Sequence, residues 1–436
     1  MTQPVGLARG LTNYGDPDFA LYLRRSFARS MGYSSEFLTR PVIGIADSSS
    51  GFNNCHRHFP ELIEAVKRGV LMMGGLPLTF PTISLGEVFL NPTSLMFRNL
   101  MAMDTEEMIR AQPMDAVVLV GGCDKTVPAQ LMGAVSANRP TIGLVGGPMM
   151  TSRWHGERLG ACTDCRRFWA RYRAGEIGDD EIREVEASLA TTAGTCAVMG
   201  TASTMASIAE ALGMILPGSA AIPAVHADRL RVAEATGRAA MRLAHDGLSP
   251  DRIVTPQSVE NALRVLMAIG GSTNAVLHLT AIAGRAGIDL DLGWLNEISD
   301  STPVLVDLKP TGPNYMEDLF AAGVTSRSGS SMRAERSSSE EKTTARPSFS
   351  NSLGSAAERL KIAPLGASEP NSATRPPLDC NASANGLTTE RSTRPASTAR
   401  RWPSVSPATV MQSRCNSGFS SRSTAPIPPA ANRSSM

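Results

Sequence analysis

The first 324 residues alternate short apolar runs with longer amphipathic stretches. Short apolar runs that end in glycine or polar residues are typical of strands buried in a parallel sheet. Four such runs occupy residues 41–47, 76–84, 115–122 and 141–147. Apolar positions at helical spacing predict helices between them, over residues 59–73, 105–111 and 127–137. This alternation predicts an α/β fold, in which helices flank a parallel sheet.

The pattern becomes mostly helical after residue 175. Helices are predicted over residues 179–190, 199–212, 228–245, 256–269 and 273–286. In a sheet of this kind, ligands bind beyond the carboxyl ends of the strands. The segments that directly follow the predicted strands are therefore candidates for a functional site, above all the CDKTVP segment after residue 122.

The composition changes abruptly at residue 325. Ser, Ala, Arg, Pro and Thr make up 74 of the 112 residues from 325 to 436, which carry 15 basic and 7 acidic residues, against 27 and 33 in residues 1–324. No helical or strand period is sustained there, so this part cannot bury enough apolar surface to fold. We predict an N-terminal α/β domain over residues 1–324 and a low-complexity, disordered tail over 325–436. We favour a shifted reading frame near Val324, since these residue types dominate when GC-rich coding DNA is read out of frame.

Other features of the chain exclude several classes of protein. The net charge of +2 over 436 residues does not indicate a nucleic-acid partner. No apolar run reaches the roughly 18 residues of a membrane helix, and the N-terminus has no apolar segment typical of a secretory signal. Seven cysteines at scattered spacings indicate a cytoplasmic protein that uses thiols for metal binding or chemistry. No glycine-rich nucleotide motif follows a strand, so a nucleotide cofactor is disfavoured.

Three cysteines are candidates for the chemistry of the site. Cys55, Cys123 and Cys196 each lie at a turn where a predicted helix begins. Such positions favour the thiolate, because the helix dipole and free N–H groups stabilise negative charge. Each could equally be an ordinary small buried residue, and spacing alone does not bring three distant cysteines together.

Acidic and cationic residues adjoin these cysteines. Asp124 and Lys125 directly follow Cys123, and Glu87 follows a predicted strand. Carboxylate oxygens at strand ends suit Mg²⁺. The alternatives are a solvated loop acid for Glu87 and a loop cation for Lys125.

Several further features have both a functional and a structural interpretation. The C-x-x-C of Cys162 and Cys165 could be half a zinc site or a redox pair, although a structural loop is favoured. The His56 and His58 pair is expected to flank the site rather than to bind metal. The glycine turns at residues 146–150 and 270–274 could offer backbone N–H groups to an anionic substrate, or be no more than tight turns. Cys380 and Cys415 receive no role.

Five segments of the chain together resemble one enzyme family. They are GFNNCHRHF, GGCDKTVPAQLMGA, GTCAVMGTASTM, IGGSTNAVLHL and DLKPTGPNYMEDL. The chain resembles the dihydroxy-acid and phosphogluconate dehydratase (IlvD/Edd) family over residues 1–324. The resemblance implies an iron–sulfur hydro-lyase that converts a small polyhydroxy acid to a 2-keto-3-deoxy acid. It also implies a homo-oligomer, and the charge and apolar runs above predict no nucleic-acid or membrane partner.

The resemblance also assigns roles to the candidate residues. Cys55, Cys123 and Cys196 would hold the iron–sulfur cluster, with [2Fe–2S] favoured and [4Fe–4S] possible. Glu87 and Asp124 would bind Mg²⁺, and Lys125 would join them as a carbamate. The Gly86-Glu87 pair, where branched-chain enzymes typically carry Asp-Gly, favours a sugar-acid dehydratase of the arabonate or xylonate type. Dihydroxy-acid dehydratase is the alternative.

The chain departs from the family pattern in its second half. Family members carry there a signature resembling T-D-G-R-x-S, whose serine is the base at C2, and no such stretch occurs in residues 325–436. We therefore identify no catalytic base and expect this polypeptide to lack useful dehydratase activity. A non-catalytic module that binds a cluster is a further alternative.

Overall fold

The computed structural model describes residues 5–323. Within them the helices are α1 (Pro17–Ser30), α2 (Phe59–Met72), α3 (Arg98–Ala111), α4 (Thr126–Ala137), α5 (Thr163–Arg173), α6 (Asp179–Leu189), α7 (Thr201–Ala211), α8 (Ala227–Asp246), α9 (Pro256–Ala268), α10 (Asn274–Arg285), α11 (Leu292–Ser301) and α12 (Met316–Ala321). The strands are β1 (Val42–Asp47), β2 (Leu76–Pro81), β3 (Ala116–Gly121), β4 (Thr141–Val145), β5 (Ser152–Trp154) and β6 (Glu157–Leu159).

Strands β1 to β4 form one parallel sheet in the order β2-β1-β3-β4. Val42 pairs with Leu76 of β2, and Ile43 pairs with Ala116 of β3. The chain moves to one side from β1 to β2 and to the other side from β3 to β4, so the winding direction reverses between β1 and β3. Such a reversal opens a crevice at the carboxyl ends of the two strands, where doubly wound folds bind their ligands.

Helices cover both faces of this sheet. Alternate strand residues point to opposite faces, so Ile43 and Ile45 pack against α2 and α8, whereas Ala46 packs against α3 and α4. Burial on both faces explains why these strands are apolar at nearly every position. The predicted α/β fold with a flanked parallel sheet is confirmed.

A second, helical core lies beside the sheet. Helix α4 contributes Leu131 to it, and α7, α9 and α10 contribute residues such as Met205, Leu263 and Ile282. Helix α4 therefore belongs to both cores and joins the sheet to the helical part.

The sequence pattern missed several elements. Two of them are helix α1, which buries only Ala20 and Ala28, and helix α5, which buries only Asp164 and Phe168. Helix α3 begins at Arg98, seven residues before the predicted start. The predicted tail at residues 325–436, with Cys380 and Cys415, lies outside the described residues. Across residues 5–323, no helix has both the length and the apolar character needed to cross a membrane.

The contact between α2 and α8 gives a prediction about stability. A methyl group on Gly237 of α8 would overlap the carbonyl oxygen of Val66 in α2. Because a backbone atom cannot move aside cheaply, we expect Gly237→Ala to lower the free energy of unfolding by about 1–3 kcal/mol. Denaturant unfolding of the purified chain measures this change.

Gly284 is the matched control, because it is an exposed residue of α10 and a methyl group added there would have no atom within 4 Å. Gly284→Ala should leave stability unchanged or raise it by up to about 1 kcal/mol. Equal effects of the two substitutions would contradict the close helix contact.

Candidate functional site

The candidate residues gather at the carboxyl edge of the sheet. The loop after β1 carries Cys55, the loop after β2 carries Glu87, and the turn after β3 carries Cys123, Asp124 and Lys125. The turn after β4 leads to the segment that holds Cys196, since Pro148 and Thr195 form a parallel bridge. Four neighbouring strands therefore direct these side chains to one region.

Close backbone packing positions the Cys55 loop. A Cβ on Gly122 or on Gly146 would lie 3.3 Å from the carbonyl oxygen of Cys55, and one on Gly146 would lie 2.7 Å from the Phe59 ring. The glycines that directly follow β3 and β4 therefore let this loop lie directly on the sheet edge. The Cys55 N–H donates to Asn53 Oδ1 at 3.1 Å, which fixes the turn before α2.

The two histidines brace the same loop. His56 is fully buried, stacks on Phe59 and places Nδ1 2.7 Å from the Ser48 carbonyl oxygen. Burial lowers the pKa of His56 to about 4, so the ring is neutral near pH 7. His58 Nε2 lies 3.0 Å from the Gly146 carbonyl oxygen. These contacts agree with the predicted flanking role.

Cys123 is held in an unusual backbone conformation. Its φ is +58°, in the left-handed region that non-glycine residues rarely adopt. Such a conformation costs on the order of 1–3 kcal/mol and persists where the surrounding structure imposes it, often at functional sites. The buried thiol donates to Asp124 Oδ1 at 3.4 Å.

The thiols influence one another. A hydrogen bond with Cys123 is the largest of the effects that raise the pKa of Cys55, and burial and the charges of Cys123 and Cys196 add to it. A hydrogen bond with Cys162 is the main cause that raises the pKa of Cys196. The three cysteines predicted from the sequence are therefore brought together, although they are up to 141 positions apart.

A fourth thiol joins them, which the sequence reasoning missed. Cys162 Sγ lies 3.1 Å from Cys196 Sγ, and this hydrogen bond lowers the pKa of Cys162 to about 7. The Cys165 thiol donates to the Cys162 carbonyl oxygen, so the two thiols of the C-x-x-C do not pair. The predicted loop is wrong for Cys165, which lies in the first turn of α5, and Cys162 lies beside Cys196.

Buried Asp164 holds the loop that presents Cys162. Its carboxylate accepts from the Gly160 N–H, Lys309 Nζ and the Tyr315 hydroxyl, each at 2.9 Å. Burial raises the pKa of Asp164, but the hydrogen bonds from Lys309, Gly160 and Tyr315 outweigh it, and the net shift is downward. The DLKPTGPNYMEDL segment thus holds the Cys162 loop in place through Lys309 and Tyr315.

Glu87, Asp124 and Lys125 form a compact charged group. Lys125 Nζ lies 2.6 Å from Asp124 Oδ2 and 3.3 Å from Glu87 Oε2, and Ser94 donates to Glu87. Burial lowers the pKa of Lys125, but the two carboxylates outweigh it, so the pKa lies above its ordinary value. Asp124 contacts both Lys125 and the Cys123 thiol, so the charged group lies next to the thiols.

A buried histidine and a half-buried arginine next to this group were also missed. His278 Nδ1 lies 3.0 Å from an Arg98 guanidinium nitrogen. Burial, followed by the charges of Arg98 and Lys125, lowers the pKa of His278 to about 4. The only available signal was its place in the IGGSTNAVLHL segment.

Most backbone N–H groups of the two glycine turns are already hydrogen-bonded within the protein. The N–H groups of Gly146, Met149 and Met150 donate to Gly121, Thr195 and Thr192. Those of Gly270, Gly271 and Ser272 donate to Met267, Leu266 and Thr204. Among the described residues, the N–H groups of Gly147, Thr273 and Asn274 have no hydrogen-bond partner, so substrate contact at these turns stays a prediction. Within residues 5–323, no three His, Cys, Asp or Glu side chains surround one point closely enough to hold a single metal ion.

Comparison with known proteins identifies the family. The model of the dihydroxy-acid/6-phosphogluconate dehydratase N-terminal domain matches residues 40–344. The chain belongs to this family. The match extends 20 residues past the domain boundary predicted at 324.

Three curated relatives show the range of the family. The chain is 48% identical to an L-arabinonate dehydratase of Rhizobium leguminosarum bv. trifolii over 71% of its own length and 54% of the relative's. It is 46% identical to an L-arabonate dehydratase of Azospirillum brasilense over 71% and 53%. It is 42% identical to a dihydroxy-acid dehydratase of Lachnoclostridium phytofermentans over 69% and 54%. The chain spans about half the length of the curated relatives it matches.

The Asp164 network gives a prediction with a pH dependence. We expect Asp164→Ala to lower the free energy of unfolding by about 2–4 kcal/mol, because three buried or half-buried donors lose their acceptor. Since the pKa of Asp164 is lowered from 3.8 on folding, its stabilisation is complete above that value and disappears as the pH falls through the folded value. Denaturant unfolding at pH 7 and near pH 3 measures both.

The control is Asp180, whose carboxylate is 95% exposed and pairs with Arg183 at 3.0 Å. Asp180→Asn should leave the unfolding midpoint unchanged at both pH values, because exposed ion pairs contribute little. An Asp164→Ala effect as small as the control's would show that the network does not support the loop.

Proposed function

We propose that this chain carries the cluster-binding and metal-binding part of a sugar-acid dehydratase, a hydro-lyase that converts a polyhydroxy acid of the arabonate or xylonate type to a 2-keto-3-deoxy acid. The observation that supports it is the convergence of Cys55, Cys123 and Cys196 with the charged group of Asp124 at one sheet edge. Soft thiolates beside hard carboxylates suit two different metals side by side.

Cys55, Cys123 and Cys196 would hold the iron–sulfur cluster. Their thiols lie within mutual electrostatic reach and in partly buried surroundings, and thiolates are the usual ligands of such clusters. When bound through three cysteines, the cluster supplies an iron with an open position that assists departure of the 3-hydroxyl group. We favour [2Fe–2S] over [4Fe–4S].

Glu87 and Asp124 would hold Mg²⁺, together with a carbamate formed on Lys125. As an ammonium ion Lys125 cannot bind a cation, and its 2.6 Å contact with Asp124 occupies an oxygen that the metal would use. Carbamylation would replace the positive charge by two further oxygen donors. When bound, Mg²⁺ supplies positive charge for the substrate carboxylate and 2-hydroxyl group.

The chain's own residues would fix the spacing of these two centres. Asp124 accepts from the Cys123 thiol through Oδ1 and pairs with Lys125 through Oδ2. The Asp124 carboxylate would thus connect the cluster site, which acts on the 3-hydroxyl group, to the Mg²⁺ site, which binds the substrate carboxylate. Such fixed positioning is a large part of enzymatic rate enhancement.

The sugar-acid assignment is supported by the Gly86-Glu87 pair and by the arabonate dehydratases among the relatives, which share 46–48% identity with the chain against 42% for the dihydroxy-acid dehydratase. Dihydroxy-acid dehydratase is the second candidate, supported by that relative. We also propose a cytoplasmic location, which agrees with the free thiols, and a homo-oligomer with no nucleic-acid or membrane partner.

We further propose that the base at C2 is not supplied by this chain. Loss of a positioned base typically costs roughly 10²–10⁴ in rate, so the chain alone should not turn over sugar acids usefully. A cluster-binding module without catalysis is then the alternative role.

The cluster assignment predicts a specific loss of iron. After anaerobic reconstitution with iron and sulfide, Cys55→Ser, Cys123→Ser and Cys196→Ser should each lose most of the bound iron and sulfide, because each removes one thiolate. Cys165→Ser is the matched control, since its thiol faces a backbone carbonyl, and it should load like the unaltered chain. Iron and sulfide analysis with visible absorbance measures this, and equal loading by all four variants would contradict the assignment.

The substrate proposal is tested with the reconstituted, Mg²⁺-supplemented chain and with a version whose reading frame near residue 324 is corrected after resequencing of the coding DNA. Arabonate, xylonate and a branched 2,3-dihydroxy acid are offered, and the 2-keto product is measured. We expect product from a sugar acid only with the corrected chain. Turnover by the 436-residue chain would contradict its proposed inactivity, and preference for the dihydroxy acid would overturn the sugar-acid assignment.

A further inference from the structure

Cys162 and Cys196 meet although nothing in the proposed reaction uses Cys162. Their sulfur atoms are 3.1 Å apart, and they come from segments 34 positions apart in the chain. A disulfide needs a sulfur–sulfur distance of about 2.05 Å. A change of roughly 1 Å lies within the reach of small side-chain rotations about the existing positions.

The backbone holds these two cysteines against each other. The Ala197 N–H donates to the Ala161 carbonyl oxygen at 3.0 Å, so the residues next to the two cysteines are hydrogen-bonded. The Asp164 network fixes the first segment, and the Thr195 N–H donates to the Gly147 carbonyl oxygen at 2.9 Å in the second. The encounter of the two thiols is therefore imposed by both segments.

The other thiols of the site have different partners. Cys165 donates to the Cys162 carbonyl oxygen, and the Cys123 thiol donates to Asp124 Oδ1. Cys162 is exposed, whereas Cys196 is only partly exposed and Cys123 is buried. Small oxidised thiols therefore reach Cys162 first, since access governs thiol–disulfide exchange.

We propose that Cys162 and Cys196 form a reversible disulfide in the cluster-free protein, with a low-molecular-weight disulfide such as glutathione disulfide as the oxidant. The Cys162 thiolate attacks one sulfur of glutathione disulfide and releases one glutathione thiolate. Cys196 then attacks Cys162 Sγ in the mixed disulfide and releases the second. Two protein thiols lose two electrons, and glutathione disulfide becomes two glutathione molecules that take up the two protons.

This disulfide would compete with cluster binding, a consequence that rests on the proposed function. Cys196 is one of the three proposed cluster ligands, and its sulfur cannot be a thiolate ligand and part of a disulfide at once. Oxidising conditions would then store the cluster-free chain in a form that cannot load, and reduction would restore it.

The experiment maps disulfides in the full-length, cluster-free chain after equilibration in glutathione redox buffers and alkylation of the remaining thiols. Cys162 and Cys165 share the tryptic peptide at residues 159–166, and Cys196 lies in the peptide at residues 184–229. We expect a cross-link between these two peptides under non-reducing mass spectrometry, and its reversal by reduced glutathione.

Two variants identify the cysteine responsible. Cys162→Ser should abolish the cross-link, and Cys165→Ser should retain it. Loss of the cross-link in Cys165→Ser, a disulfide within residues 159–166, or a cross-link of Cys196 to the Cys55 peptide instead would overturn the proposal.

A separate arm tests the competition. Protein that already contains iron and sulfide should show little of the cross-link under the same buffers, and the oxidised chain should take up iron only after reduction. An unchanged cross-link in protein shown to hold the cluster would refute the competition. If no variant or condition gives iron binding, the proposed function fails, while the peptide map still decides whether the disulfide forms.

Discussion

The parallel direction of β1 to β4 is the constraint on which the site depends. Because all four strands run the same way, the loops that leave them meet at one edge, and the reversal between β1 and β3 opens a crevice there. Cys55 follows one of these strands and Cys123 follows the other. The cysteines need no motif of close spacing, since the sheet brings distant parts of the chain together.

Asp124 connects two kinds of chemistry at this edge. Its two oxygens contact the Cys123 thiol and the Lys125 ammonium group, so a change in either neighbour alters the other's surroundings. The strained backbone at Cys123 is compatible with this arrangement, because it turns one thiol and one carboxylate from adjacent residues toward a shared region. Next to this region, Arg98 contributes a positive charge and His278 a neutral ring.

The sequence predicted the elements whose burial produces a regular apolar pattern. It did not predict the elements that are positioned by hydrogen bonds between distant residues. Strands β1, β3 and β4 are buried at nearly every position, so their apolar runs predicted them to within a few residues. Helix α5 buries little besides a carboxylate and one aromatic ring, and its role depends on Asp164 meeting Lys309 and Tyr315 more than 140 positions away. No local sequence pattern predicts contacts between residues so far apart. For that reason the sequence analysis considered Cys162 only with Cys165 and did not predict its contact with Cys196.

The backbone bonds that surround Cys196 have a consequence for the timing of biosynthesis. Ala197 is bonded on one side to Ala161 and on the other to Met316, so this part of the thiol group is completed only when the chain has grown past α12. At a synthesis rate of about 5–20 residues per second, Cys55 leaves the ribosome on the order of ten seconds or more before that point. Its thiol is thus present on the growing chain well before its partner cysteines are in place.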